Sequence, residues 1–153
     1  MIQNVKKVLC PVDFSEFSLE AMRGAWELAK DVDADLHLLH VVVPHRVFIP
    51  LPTVQSVERT REQARESAMV QEAEEALTHI KKADFQNSAK VTIAATAGSP
   101  VEKILEYAAS NDIDLIVVST HGRSGLNRMF IGSVAEKLVR GALCSVLVLR
   151  ARA

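Results

Sequence analysis

The stretch Leu115-Ile116-Val117-Val118-Ser119-Thr120-His121-Gly122 decides how the rest of the chain is read. Four consecutive aliphatic residues without alternation suit a strand covered on both faces, as in a parallel sheet packed between helices. The run passes into small polar residues and a glycine, with a second glycine at Gly125. Gly132-Ser133-Val134-Ala135-Glu136 then reads as a helix start, with Ser133 as cap and Glu136 three residues after it. Glycine lets backbone N–H groups approach a ligand with no side chain between, and a helix start attracts negative charge through its unpaired N–H groups and dipole. Ser133 adds a hydroxyl donor and Arg123 a positive charge, so the segment from Ser119 to Ser133 is expected to bind an anion.

Outward from this segment the pattern repeats. Aliphatic runs at Val5–Val12, Leu36–Val43, Val91–Ala95 and Val146–Leu149 are the other expected strands. A first helix is expected from Ser15 as cap, with Phe14 and Leu19 at the two positions of a hydrophobic staple and Leu19, Met22, Trp26 and Ala29 facing inward. A second, more polar helix spans Val57–Lys82, with Val70, Ala73, Leu77 and Ile80 as its inner stripe and its charged residues in solvent. Three prolines between Pro44 and Pro52 predict a loop or flap before it. Ser99-Pro100-Val101-Glu102 opens a third helix that buries Val101, Ile104, Leu105 and Ala108. The fourth, from Ser133, ends near Gly141.

Strands alternating with helices predict an α/β fold of Rossmann-like type: a doubly wound, five-stranded parallel sheet with helices on both faces, in one domain over residues 1–153. Ligands of such sheets sit beyond the carboxyl ends of the strands, where the strand order reverses. Order 3-2-1-4-5 sets Pro11-Val12-Asp13-Phe14-Ser15 opposite Ser119-Thr120-His121-Gly122. Order 2-1-3-4-5 would bring Thr96-Ala97-Gly98-Ser99 there instead. That second order is the one used by response regulators, which need a phosphorylatable aspartate at the end of the third strand. None stands there, so the first order is expected.

Composition narrows the function classes. With 48% apolar and 24% charged residues the chain can bury a core and solvate its outside; only 5% are aromatic, so that core is aliphatic. A net charge of −1 with scattered basic residues argues against a nucleic-acid partner. The absence of a long apolar run argues against a membrane span or a signal peptide and for a cytoplasmic protein. Cys10 and Cys144 lie apart in apolar runs and are expected as buried thiols. His37 and His40 stand three apart on a strand, hence on opposite faces, and cannot share a metal; His40 is expected as a hydrogen-bonded core histidine. The patterns GxxxxGK[ST], GxGxxG and GxSxG are all absent, which removes P-loop NTPases, dinucleotide dehydrogenases and α/β-hydrolases.

The pattern His121-Gly122-x9-Gly132-Ser133, with Val8-Leu9-Cys10-Pro11-Val12-Asp13-Phe14-Ser15, Leu38-Leu39-His40-Val41 and Cys144-Ser145-Val146-Leu147-Val148-Leu149, resembles the universal stress proteins over nearly the whole chain. That resemblance implies the same 3-2-1-4-5 sheet. It also implies ATP as ligand, since the family's ATP-binding members carry Gly-x2-Gly-x9-Gly-Ser/Thr; here Gly122, Gly132 and Ser133 match, and Ser119 replaces the first glycine. By the same resemblance Asp13 contacts the ribose, and Pro11, Val12 and Val41 line the adenine pocket. His121, Gly122, Arg123 and Ser124 form the phosphate side with Gly132, Ser133 and Val134. Asp13 is the carboxylate available to Mg²⁺ carried by the nucleotide. No catalytic residue is implied, and activity beyond weak ATP hydrolysis is not expected. A homodimer through the edge strand Val146–Leu149 is expected both from the resemblance and from the exposed edge. Its rival is a nucleotide-free dimer acting as an interaction or chaperone-like protein.

Overall fold

The computed structural model of the chain describes residues 4–45, 52–121 and 131–150. Strands and helices alternate as β1 (Lys7–Pro11), α1 (Glu16–Asp31), β2 (Asp35–Val42), α2 (Pro52–Phe85), β3 (Val91–Ala97), α3 (Pro100–Ser110), β4 (Leu115–Ser119), α4 (Ser133–Gly141) and β5 (Ser145–Leu149). All pairings are parallel and the sheet order is β3-β2-β1-β4-β5. The expected topology is the observed one, and it places the ends of β1 and β4 side by side.

Alternate side chains of each strand feed two aliphatic layers. Val8, Cys10, Leu36, Leu38, Leu115 and Val117 pack with Met22, Ala25 and Ala29 of α1 and Leu77 and Phe85 of α2. On the other face Leu9, Leu39, Ile116 and Val118 meet Ile104 and Ala108 of α3 and Ala135 and Leu138 of α4. Burial of this kind stabilises by roughly 25 cal/mol per Å² of apolar surface removed from water, so the two layers dominate the fold's energy. Trp26 of α1 meets Phe85 of α2 edge-on, with ring centroids 5.5 Å apart. Cys10 is fully enclosed and burial pushes its thiol up to about 12, which makes it unreactive at neutral pH. Cys144 is only half-buried, short of the expectation.

Three local expectations need correction. α2 begins at Pro52 rather than Val57. A proline at a helix start loses nothing, because the N–H it lacks would have had no partner there. The remainder of the expected proline loop, residues 46–51, lies outside the described residues. At α3, Ser99 holds the cap position but makes no side-chain cap bond. At α4 the cap is Gly132, and Ser133 is the first helical residue. Among the described residues no helix is long and apolar enough to cross a membrane.

Candidate functional site

β1 ends at Pro11, and the next residues leave the sheet under tight control. The Val12 N–H still donates to the Leu39 carbonyl at 2.8 Å, and the Val12 carbonyl accepts from Nδ1 of His40 at 2.6 Å. Asp13 Oδ1 accepts the Ser15 N–H at 2.9 Å, while the Asp13 N–H donates to Ser18 Oγ at 3.2 Å. Ser15 caps α1 as expected, its Oγ accepting the Ser18 N–H at 3.2 Å. The start of α1 is therefore closed by its own side chains, and Asp13 is held at the strand end while ordering the turn.

The end of β4 is built differently. Thr120 continues the ladder, its N–H donating to the Leu149 carbonyl at 2.9 Å. The Ser119 hydroxyl donates to the His121 carbonyl at 2.6 Å, and Thr120 Oγ1 bonds His121 Nδ1 at 2.8 Å. Among the described residues His121 Nε2 is buried with no hydrogen-bond partner, and the Phe17 ring lies 5.6 Å from the imidazole. Across the gap, the Gly132 N–H donates to the Thr120 carbonyl at 2.6 Å. A Cβ at position 132 would stand 3.0 Å from that same oxygen, a tight approach that favours glycine there. The Glu136 N–H closes the first turn onto the Gly132 carbonyl, and among the described residues no side chain caps α4. One amide expected to grip an anion, that of Gly132, is thus used by the chain itself, and the first turn beyond it lacks a side-chain cap.

Between these two strand ends opens a cavity of about 730 Å³. Pro11, Val12, Asp13, Val41, Ser119, His121, Gly132, Ser133 and Val134 all line it, so the structure brings together nine residues picked from sequence. Gly122, Arg123 and Ser124 lie outside the described residues. Leu39, Val41 and Val118 give the cavity an aliphatic floor beside the polar edge made by Asp13, Ser119 and Ser133. This is the size and make-up of a small-ligand site. Sequence reasoning missed Thr120, Phe14 and the α2 wall of Met69, Glu72 and Ala76. Thr120 is only 8% exposed, and its place directly after the aliphatic run of β4 was the signal available in the sequence. Of these α2 residues Glu72 was read as part of a solvated face and Met69 and Ala76 were not singled out, and nothing local in a helix pattern reveals that its edge borders a cavity. Among the described residues no three His, Cys, Asp or Glu side chains converge on a metal position.

The sequence profile of the universal stress protein family matches residues 4–150. The chain belongs to that family. Universal stress protein MJ0531 of Methanocaldococcus jannaschii is 37% identical over 145 residues, covering 95% of this chain and 82% of that one. The solved structure of MJ0577 from the same organism superposes with a TM-score of 0.78 at 27% identity, over 97% of this chain and 98% of the other. A universal stress protein solved in complex with cAMP shares the fold at a TM-score of 0.61 and 24% identity, over 95% and 97% of the two chains. Family membership agrees with the strand order and with the position of the cavity at the carboxyl ends of β1 and β4.

Proposed function

We propose that this universal stress protein binds ATP in the cavity between β1, β4 and α4, and that occupancy changes the state of the domain or its partners. The observation carrying this reading is the conjunction of an aliphatic floor, a carboxylate at one side and an uncapped helix start at the other. Adenine would lie on Val12 and Val41, the ribose hydroxyls against Asp13, and the phosphates against the first turn of α4. A helix start is favourable for phosphate because its N–H groups and dipole act together. In the motif the first glycine is Ser119; its hydroxyl is folded back onto the His121 carbonyl and so braces the loop beside the nucleotide. His121, Gly122, Arg123 and Ser124 complete the phosphate side. Mg²⁺ would arrive on the nucleotide with the Asp13 carboxylate beside it, since magnesium takes one or two carboxylates plus phosphate oxygens. The activity is binding, with hydrolysis at most slow. That the same fold holds cAMP in another universal stress protein supports an adenine nucleotide here.

We also propose a cytoplasmic homodimer through β5. That strand lies at the sheet edge, and Val139 and the fully exposed Leu143 add apolar surface near it. Sedimentation equilibrium decides this directly.

The nucleotide reading is tested by calorimetric titration of ATP into the wild type and Ser133→Pro. Proline suits the first helical position, and Gly132 already has φ −57° and ψ 151°, the conformation a following proline requires. The substitution deletes one N–H without disturbing the helix. Loss of a charge-assisted hydrogen bond should weaken ATP by about tenfold or more, while stability moves by less than about 0.5 kcal/mol. Ser133→Ala separates the hydroxyl's share. A wild type that takes up no adenine nucleotide favours the nucleotide-free dimer, whereas a proline variant of undiminished affinity places the phosphates elsewhere.

A further inference from the structure

His40 is the one polar side chain on β2 that lines the cavity, and the nucleotide reading gives it no task. Its ring does something a backbone would ordinarily do. β1 pairs with β2 in register up to Pro11 opposite Leu39, and the last ladder bond runs from the Val12 N–H to the Leu39 carbonyl. The Val12 carbonyl accepts a hydrogen bond from the His40 ring at 2.6 Å. A carbonyl only accepts, so His40 Nδ1 carries the hydrogen. A side chain has replaced a strand partner, and the chain is released from the sheet at the position where it must turn.

The turn itself is unusual. Phe14 sits at φ 63°, a left-handed conformation that an aromatic residue rarely adopts. Its ring packs on the His40 imidazole, centroids 4.6 Å apart and planes 39° apart. The residue enclosed between the two held positions is Asp13. Val12 is fixed by His40 from one side, Phe14 is fixed by the same ring from the other, and the Asp13 carboxylate is steadied by the Ser15 N–H at 2.9 Å.

We propose that His40 is a positioning residue that holds Asp13 at the mouth of the cavity, gripping the Val12 carbonyl through Nδ1–H and carrying Phe14 on its ring face. It touches no ligand in this role; it sets where the carboxylate stands. The role rests on the nucleotide reading above only for what Asp13 then contacts, namely the ribose hydroxyls. It follows that the residue at position 40 governs discrimination between nucleotides that have those hydroxyls and nucleotides that lack them.

The test uses the full chain, with His40→Leu to remove the donor at similar size and His40→Asn to restore an N–H near the Nδ1 position. In the ligand-free protein, nitrogen NMR of the imidazole should show the Nδ1–H tautomer. Amide exchange at Ser15, whose N–H reports the Asp13 carboxylate, should accelerate in His40→Leu and recover in His40→Asn. With nucleotide, His40→Leu should weaken ATP by about tenfold and 2′,3′-dideoxy-ATP by less than about threefold, and His40→Asn should stay near the wild type for both. Unfolding midpoints measured alongside show whether each variant is folded. An Nε2–H tautomer, unchanged Ser15 exchange in His40→Leu, or equal losses for ATP and its dideoxy analogue would each overturn the positioning role. If the wild type binds no adenine nucleotide, the nucleotide reading falls on that result alone, and the two ligand-free measurements still decide the role of His40.

Discussion

Where β1 and β4 begin, the chain spends its polar groups on itself; where the same two strands end, it leaves a cavity. At the amino end one carboxylate, that of Asp114, accepts the N–H groups of both Lys6 and Lys7, at 2.8 and 2.9 Å. Lys7 Nζ donates to the Asn111 carbonyl at 2.9 Å, and Lys90 pairs with Asp33. The turns there use left-handed residues at Asn4, Asp33, Gln86, Asn87 and Asp112, mostly short polar types that tolerate that conformation. At the carboxyl end α4 starts without a side-chain cap, and the left-handed residue of the β1–α1 turn is a phenylalanine braced on a histidine. At one end polar groups far apart in sequence pair with one another, while the other end keeps polar surface facing a 730 Å³ space. The difference separates an end that closes on itself from the end that carries the proposed nucleotide site.

The sharpest way to break this contrast is Gly132→Val. Its Cβ would stand 3.0 Å from the Thr120 carbonyl oxygen, a backbone atom that cannot swing away. The start of α4 must then move off the end of β4. Overpacking of this kind costs about 1–3 kcal/mol, and ATP affinity should fall by more than for any other single change at the cavity. Urea unfolding and calorimetry measure the two effects. A variant with wild-type stability and affinity would mean that the close approach of Gly132 to Thr120 matters to neither.

The legibility of the sequence follows the same division. The buried strands were readable because a chain covered on both faces has to be aliphatic throughout, and Leu115–Val118 is. The strand order rested on what the end of β3 lacks, together with the family resemblance, and the sheet bears it out. Helix starts were less readable. Ser133 looked like a cap because serine is a good one, but a cap is defined by backbone geometry, and the bond from Gly132 to Thr120 sets that geometry one residue earlier. Prolines were read as loop markers, although Pro52 stands where α2 begins. Nine residues lining the cavity were named from the strand-end loops, the start of α4 and the family resemblance. Met69 and Glu72 were not, because α2 comes to the cavity through tertiary packing that no local pattern encodes.

At the other end of the sheet, Asp114→Ala sharpens the contrast by moving stability alone. Two backbone N–H groups lose a charged acceptor, and because both are exposed, water replaces part of what is lost. The expected cost is about 1 kcal/mol in urea unfolding, with ATP affinity unchanged. A changed affinity would show that the two ends communicate through β1 or β4.

The smallest effect is expected midway along the sheet, at His37. This residue, 9% exposed, bonds the Tyr107 hydroxyl at 2.9 Å through Nδ1 and lies on the α3 side of β2. Burial away from water holds its imidazole below the usual value of 6.5; the charge of Lys7 adds to that and Asp35 opposes it. Above pH 6.5 the ring is neutral in both the folded and unfolded chain, and its contribution is complete. As pH falls below 6.5 the unfolded chain takes up a proton that the folded one resists, so stability declines until the folded pKa is also passed. One such proton gives a slope of at most about 1.4 kcal/mol per pH unit. His37→Asn keeps an amide near Tyr107 and removes the titration, so its stability should fall less steeply than the wild type below pH 6.5 and run parallel to it above. Equal slopes on the acid side would assign the acid sensitivity to other groups. Because His37 packs on α3 rather than against the β1–α1 turn, ATP affinity at neutral pH should be the same in both proteins, which distinguishes it from His40 three residues along the same strand.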